Sequence, residues 1–179
     1  MKQKVVKGLL WKLLENGGAQ GVQFVIAIIL ARLLTPAQYG VVGIITIFIT
    51  IANVVVQSGF STALVQKQKA DKVDFSSVCY FDLFVALVMY GILYAAAPMI
   101  ASFYGIAELE AIVRVLSIVL FPGAVISVQT AYVSRNLEFK GLFLSTLAAS
   151  AASGVISIWM AANGFGVWAM VGQQVSYYF

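Results

Sequence analysis

Long apolar runs separated by short polar segments account for most of the 179-residue chain. Each complete run is about 20 residues or longer, which lets a helix cross a hydrocarbon core of about 30 Å. We expect five complete spans and a sixth that stops at the end of the chain, near residues 13–34, 41–60, 75–97, 111–133, 142–162 and 167–179. The pattern predicts an all-α integral membrane protein with a single membrane domain over residues 1–179.

The three prolines mark predicted boundaries or irregularities. Pro36 follows the first span, Pro98 follows the third, and Pro122 lies within the fourth. Proline has no backbone N–H and interrupts the interior of a helix. We therefore expect the first and third spans to end at Pro36 and Pro98.

Composition supports lipid as part of the solvent. The chain is 61% apolar and 10% charged, with a mean hydropathy of +0.96, whereas soluble domains carry about 25% charged residues. Its single cysteine, Cys79, and its lack of histidine exclude an internal disulfide and a Ser-His-Asp triad. We expect Cys79 to be a small buried residue, and we expect no catalytic residue, metal or cofactor.

The basic residues indicate an orientation. Nine of the eleven fall in segments on one side of the predicted spans, and only Arg32 and Arg114 fall on the other. The nine are Lys2, Lys4, Lys7, Lys12, Lys67, Lys69, Lys72, Arg135 and Lys140. Because cytoplasmic segments are enriched in Lys and Arg, we expect the N-terminus in the cytoplasm. This distribution also argues that the net charge of +4 does not serve nucleic-acid binding.

Polar residues recur at helical spacing within the first two spans. Steps of three and four residues align Asn16, Gln20 and Gln23 in the first span. The same steps align Thr46, Thr50, Asn53 and Gln57 in the second. Two interpretations stay open: amides that bond across packed helices, or a water-filled cavity whose amides and hydroxyls suit sugars and phosphates. These seven residues are the candidate cavity lining.

Small and hydroxyl residues favour helix packing elsewhere. In the fifth span, a strip at the same spacing comprises Thr146, Ser150, Ser153, Ser157 and Ala161. Gly17 and Gly21 form a GxxxG step in the first span. Small residues let helix backbones approach closely, so we interpret both patterns as packing surfaces.

Three charged residues are candidate contacts with a cavity or with lipid headgroups. Asp82 falls within the third span, so it either faces the bundle interior or reaches the inner headgroups. Arg32 and Arg114 lie near the predicted outer ends of their spans. Each either snorkels to the headgroups or draws a pyrophosphate towards a cavity.

Four stretches together resemble a known family. They are residues 31–40 (ARLLTPAQYG), 59–67 (GFSTALVQK), 97–105 (APMIASFYG) and 164–171 (GFGVWAMV), and the basic segment 135–140 (RNLEFK) fits with them. In this order and spacing they resemble the polysaccharide-exporter branch of the multidrug/oligosaccharidyl-lipid/polysaccharide (MOP) flippase superfamily, the Wzx/WzxC-like proteins.

The resemblance implies a two-lobed helical bundle that moves undecaprenyl-pyrophosphate-linked oligosaccharide across the bacterial inner membrane. Residues 1–179 would form the N-terminal lobe and would not flip a substrate alone. Implied partners are the lipid-linked oligosaccharide and membrane lipid, with a coupling ion and other polysaccharide assembly proteins as further candidates. The alternatives are a MATE-like drug or ion antiporter, a non-transporting truncated fragment, and a membrane enzyme using Glu108 and Glu110.

Overall fold

The computed structural model describes residues 2–57, 72–136 and 139–179, with side-chain environments for 17–57, 74–134 and 140–179. Within these residues the chain is helical and contains no strand. The helices are α1 (Lys2–Leu33), α2 (Pro36–Val56), α3 (Lys72–Tyr104), α4 (Glu108–Ser117), α5 (Leu120–Asn136), α6 (Phe139–Ala162) and α7 (Val167–Tyr178). The predicted segment Lys67–Lys69 lies outside the described residues.

Four helical segments of the described chain are long and apolar enough to cross a membrane. They are Pro36–Val56, Asp74–Tyr104, Glu108–Ser134 and Lys140–Ala162, and a shorter apolar segment covers Gly17–Leu33. Backbone groups in lipid must be satisfied within the segment, and helices do this with their own hydrogen bonds. The chain is therefore an all-α, multi-pass membrane protein, as the hydrophobic pattern predicts.

The prolines behave differently from one another. Pro36 is the first residue of α2, where Thr35 and Gln38 form a capping box: Thr35 N donates to Gln38 Oε1 at 2.9 Å and Gln38 N donates to Thr35 Oγ1 at 3.4 Å. The prediction that the third span ends at Pro98 is wrong, because α3 continues through it to Tyr104. Pro122 follows the break between α4 and α5, where Val119 N donates to Leu116 O in a tighter turn.

The helices form two groups. One group packs α3 against α2, α4 and α5, and the other packs α6 against α1 and α7. Contacts of α7 with α2 and α4 join the groups. Their common core contains Ile45, Ile112 and Leu116, all fully buried, with Val171 from α7.

The two ends of the bundle differ in the connections and helix ends that they contain. At one end, here the loop end, residues 105–107 and 163–166 connect helices, and Gly105, Gly164 and Gly166 adopt positive φ angles of 66°, 81° and 56°. Glycine adopts this conformation without strain. At the other end, here the cleft end, α2 stops and α6 begins. There the successive helices α5 and α6 pack mainly on different partners, so a gap is left between them.

The strip of small residues on α6 is a packing surface. Ser150, Ser153 and Ser157 are fully buried, and Gly154 meets the side chain of Ile26 on α1. Gly17 and Gly21 do not serve as the predicted packing step, because a Cβ on either would meet no atom of the described residues within 4 Å. The neighbouring Gly18 makes the approach instead, with Phe143 of α6 as its neighbour.

Candidate functional site: a polar cleft

A cleft of about 870 Å³ occupies the cleft end of the bundle, between α5, α6, α7 and the last turn of α2. Nine of its fifteen lining residues carry a hydroxyl, amide or phenol group, and the others are apolar residues and a glycine. The polar lining residues are Gln57, Ser127, Gln129, Thr130, Ser134, Ser145, Thr146, Tyr177 and Tyr178. Within the described part of the chain, no charged residue lines this cleft. A neutral polar cavity of this size inside an apolar bundle is suited to a polar, uncharged group.

The α5 wall of the cleft is a fourth polar strip. Gly123, Ser127, Thr130 and Ser134 follow steps of four, three and four residues, which place them on one face of the helix. Sequence reasoning missed this strip, although the spacing is the same as in the first two spans. Pro122 obscures it, because Gly123 then falls in the first turn of a separate helix that begins at Leu120.

The deep end of the cleft is the point where α2, α5 and α7 meet. A Cβ at Gly123 would lie 3.7 Å from Tyr178 Cε1, an ordinary contact, but 3.1 Å from Asn53 Oδ1, so a larger residue would force the Asn53 side chain to shift. Asn53 Oδ1 is buried and accepts no hydrogen bond within the described residues. An unpaired buried amide oxygen costs roughly 1–3 kcal/mol, so this atom is an acceptor available to a water or a ligand.

Two aromatic rings wall the α7 side of the cleft. Tyr177 and Tyr178 lie edge to face, with ring centroids 5.5 Å apart and planes at 85°. Tyrosine presents an apolar ring together with a polar hydroxyl. The cleft therefore offers both hydrogen-bonding groups and an apolar surface, the combination that suits a sugar ring.

The seven candidate cavity residues are not brought to one place. Gln57 lines the cleft and Asn53 lies at its deep end. Gln23 is bonded to Gln173 of α7, at 2.9 Å. Gln20, Thr46 and Thr50 lie on exposed surfaces away from the cleft lining, and the hydroxyl of Thr46 donates to Val42 O of its own helix at 2.7 Å. The side chain of Asn16 lies outside the described residues. Thr146, interpreted from sequence as a packing residue, lines the cleft.

The three candidate charged residues lie in separate environments. Asp82 is 1% exposed, and neither carboxylate oxygen has a hydrogen-bond partner within the described residues. Arg32 is exposed near the loop end. Arg114 Nη2 forms an ion pair with Glu110 Oε1 at 2.8 Å, and Arg114 Cζ lies 4.4 Å from the centroid of the Tyr94 ring. None of the three lines the cleft.

Cys79 is only half-buried, so the prediction that it is a buried residue is wrong in degree. It does not line the cleft. The described residues contain no group of three or more Cys, Asp or Glu side chains that could hold a metal ion.

Taken together, the helices and the cleft define a multi-pass membrane protein with a neutral polar cavity between its helices. The family model described as "Polysaccharide biosynthesis protein" matches residues 29–179. The chain therefore belongs to this family of polysaccharide biosynthesis proteins.

Two curated relatives cover most of the chain. Over 169 residues it is 26% identical to the succinoglycan biosynthesis transport protein ExoT of Rhizobium meliloti, covering 94% of this chain and 34% of that protein. Over 141 residues it is 29% identical to the teichuronic acid biosynthesis protein TuaB of Bacillus subtilis, covering 78% and 29%. The chain thus spans about a third of the length of these relatives. No solved structure matches it.

Proposed function

We propose that the whole protein is a flippase for polysaccharide or lipopolysaccharide biosynthesis. It moves undecaprenyl-pyrophosphate-linked oligosaccharide from the inner to the outer leaflet of the bacterial inner membrane. The observation that carries the proposal is the neutral polar cleft of about 870 Å³ within an apolar helical bundle. Membership of the polysaccharide biosynthesis family and similarity to a protein named for succinoglycan transport support it.

Such a transporter must move the polar head of its substrate through the apolar interior of the bilayer. Sugar hydroxyls lose hydrogen bonds to water when they enter the bilayer, and each unreplaced bond costs several kcal/mol in a fully apolar medium. Thr130 and Gln129 supply donors and acceptors in place of water, and Ser145, whose hydroxyl donates to Leu142 O, supplies an acceptor. The lipid tail stays in the bilayer. Two lobes that rock against each other would then expose the head to either side, without making or breaking a covalent bond.

The alternative functions have less support. A cation antiporter of the MATE type would favour an acidic cavity, yet the described cleft lining contains no acid. A membrane enzyme would use clustered acids at a membrane face, but Glu110 is already paired with Arg114. Asp82, the buried acid of α3, is a candidate site for a coupling ion within the flippase itself. We further propose that the N-terminus is cytoplasmic and that other polysaccharide assembly proteins supply and receive the glycan.

The test is to delete the gene in its own bacterium and follow the lipid-linked oligosaccharide. We expect surface polysaccharide to be lost and the intermediate to accumulate in the inner leaflet, where a glycosidase added to intact spheroplasts cannot reach it. Wild-type protein should restore export, and Thr130→Leu, which removes a cleft hydroxyl and adds apolar bulk, should restore it poorly. Unchanged export in the deletion strain, with no accumulated intermediate, would refute the proposal.

A further inference from the structure

A second cavity adjoins the cleft and extends to the beginning of α6. This cavity, of about 580 Å³, shares Gln129, Leu142 and Ser145 with the main cleft. Its remaining lining residues are Val133, Lys140 and Gly141. The shared residues place the two cavities side by side between α5 and α6, and together they are called the passage here. Lys140, near the start of α6, brings an amine into the lining of the second cavity.

Lys140 is the charged residue that lines this passage within the described part of the chain. It is the second residue of α6 and is exposed, so it lies at the rim of the passage while the deeper lining is neutral. An ammonium group is a compact cation that binds phosphate as a point charge. Lysines at helix ends reach the headgroup level of a bilayer.

The opening faces the outside of the bundle as well as its end. Gln129 and Ser145 are exposed at the mouth, and their helices carry exposed apolar side chains close by, Tyr132 at 55% and Leu144 at 54%. Exposed apolar side chains on a membrane helix contact lipid tails. Polar groups at a gap, with lipid-facing side chains on either side, are the arrangement expected where a molecule with a polar head and an apolar tail passes in from the side.

We infer that the gap between α5 and α6 is the lateral entrance for a phosphate-linked lipid glycan. The sugars nearest the phosphate occupy the neutral cleft, the phosphate pairs with Lys140, and the lipid tail remains outside beside Tyr132 and Leu144. This inference rests on the proposed function and adds to it the route and the order in which parts of the substrate are bound. The neutral lining favours uncharged sugars in this position, and the charge of Lys140 favours an anionic linkage.

Photocrosslinking tests the route. The experiment uses the whole protein, expressed in its own bacterium. A photoreactive amino acid is placed at Ser145, inside the mouth, or at Leu144, the adjacent lipid-facing position. We expect Ser145 to crosslink to the sugars or the phosphate of the lipid-linked glycan, and Leu144 to crosslink only to phospholipid or to the lipid tail of the glycan carrier. The Ser145 product should disappear in cells that lack the first glycosyltransferase. A product at Ser145 that contains phospholipid with and without the glycan would show an ordinary lipid groove and overturn the inference.

Export measurements with substituted proteins test the roles of the mouth and of the amine. Ser145→Trp should reduce surface polysaccharide about tenfold by filling the gap, while Val155→Trp, at an exposed apolar position of the same helix that lines neither cavity, should leave it unchanged. Lys140→Gln should reduce export about threefold and Lys140→Arg should retain it, because only the charge is required. Protein levels in the membrane are measured alongside to exclude failure to fold. If the deletion strain depends on the protein but Ser145→Trp and Lys140→Gln export normally, the route is wrong and the proposed function stands.

Discussion

Gln173 of α7 donates a hydrogen bond from Nε2 to Oε1 of Gln23 in α1, over 2.9 Å, although 150 positions separate the two residues. The bond joins α7, the last helix described, to α1, the first, and both side chains are partly buried. Amides within a membrane bundle must find partners, since hydrocarbon offers none. The pair therefore fixes how α7 lies against α1, beside the cleft that α7 helps to form.

We expect this pair to be energetically coupled. Gln23→Leu or Gln173→Leu leaves one amide unpaired and should lower the free energy of unfolding by about 1 kcal/mol. The double substitution should cost less than the sum of the two single ones. Unfolding in detergent gives the free energies of the wild type, the two single variants and the double variant. Gln20→Leu, at an exposed position of the same helix, is the control and should change little. Strictly additive losses would show that the bond contributes nothing.

The contact between Gly154 and Ile26 predicts a size limit on α6. A Cβ at Gly154 would overlap the side chain of Ile26, which is only 4% exposed and has little room to move. Gly154→Ala should therefore lower the free energy of unfolding by about 1–3 kcal/mol, and Ile26→Val should restore part of it.

Gly141→Ala on the same helix is the matched control, because a Cβ there would meet no described atom within 4 Å. Since alanine favours helix more than glycine does, this variant should be as stable as the wild type or slightly more so. Equal stability of the two variants would contradict the close packing of α1 on α6.

Hydrophobic length predicts the helices, because a backbone in lipid has few alternatives to a helix. Local sequence does not decide whether a helix continues through a proline. Helix α3 continues through Pro98, whereas a tighter turn separates α4 from α5 just before Pro122. The outcome depends on the tertiary packing around each proline. The stretches that resemble a family include the capping box at Thr35 and the turn glycines Gly105 and Gly166, so they identify the fold and do not locate the cleft.

The polar strips could be found from sequence, but the helices that pack against each strip could not. Gln57 and Thr50 share a predicted strip, yet only Gln57 reaches the cleft, because the cleft opens beside the end of α2, where Gly123 and Tyr178 lie next to Asn53. Ser150 and Thr146 share a strip on α6, yet one is buried and the other lines the cleft. Periodicity assigns residues to a helix face, and the divergence of neighbouring helices decides which part of that face borders a cavity.

We expect Asp82 to lower the stability of the folded protein and to contribute to transport. Its carboxylate is buried without a hydrogen-bond partner in the described residues, an arrangement that costs free energy. Asp82→Asn should raise the free energy of unfolding by about 1 kcal/mol and lower polysaccharide export about tenfold. Asp74→Asn, which removes an acid from the first turn of the same helix, should retain export. A destabilised Asp82→Asn variant would indicate a structural partner instead, and normal export would remove Asp82 from the transport mechanism.

Reporter fusions test the predicted topology. Ala70, outside the described residues, follows two lysines of a predicted cytoplasmic segment, and Ala107 lies in the turn between α3 and α4 at the loop end. An alkaline phosphatase fusion should be inactive at Ala70 and active at Ala107, and a green fluorescent protein fusion should show the opposite pattern. The reverse result would place the cleft end and Lys140 outside the cell and would exclude entrance of a substrate from the inner leaflet.

Cysteine accessibility tests most directly whether water enters the cleft. Single cysteines replace Gln57 or Thr146, in the cleft, and Val54 or Val155, on exposed apolar surfaces, in a Cys79→Ala background. Val54 and Val155 are 66% and 69% exposed, so the described residues do not cover them, and we expect surrounding lipid to shield them from a charged, water-soluble thiol reagent. We predict that the cysteines at 57 and 146 react at least about tenfold faster in native membranes. Equal rates at all four positions would contradict a water-filled cleft and, with it, the transport route proposed through this bundle.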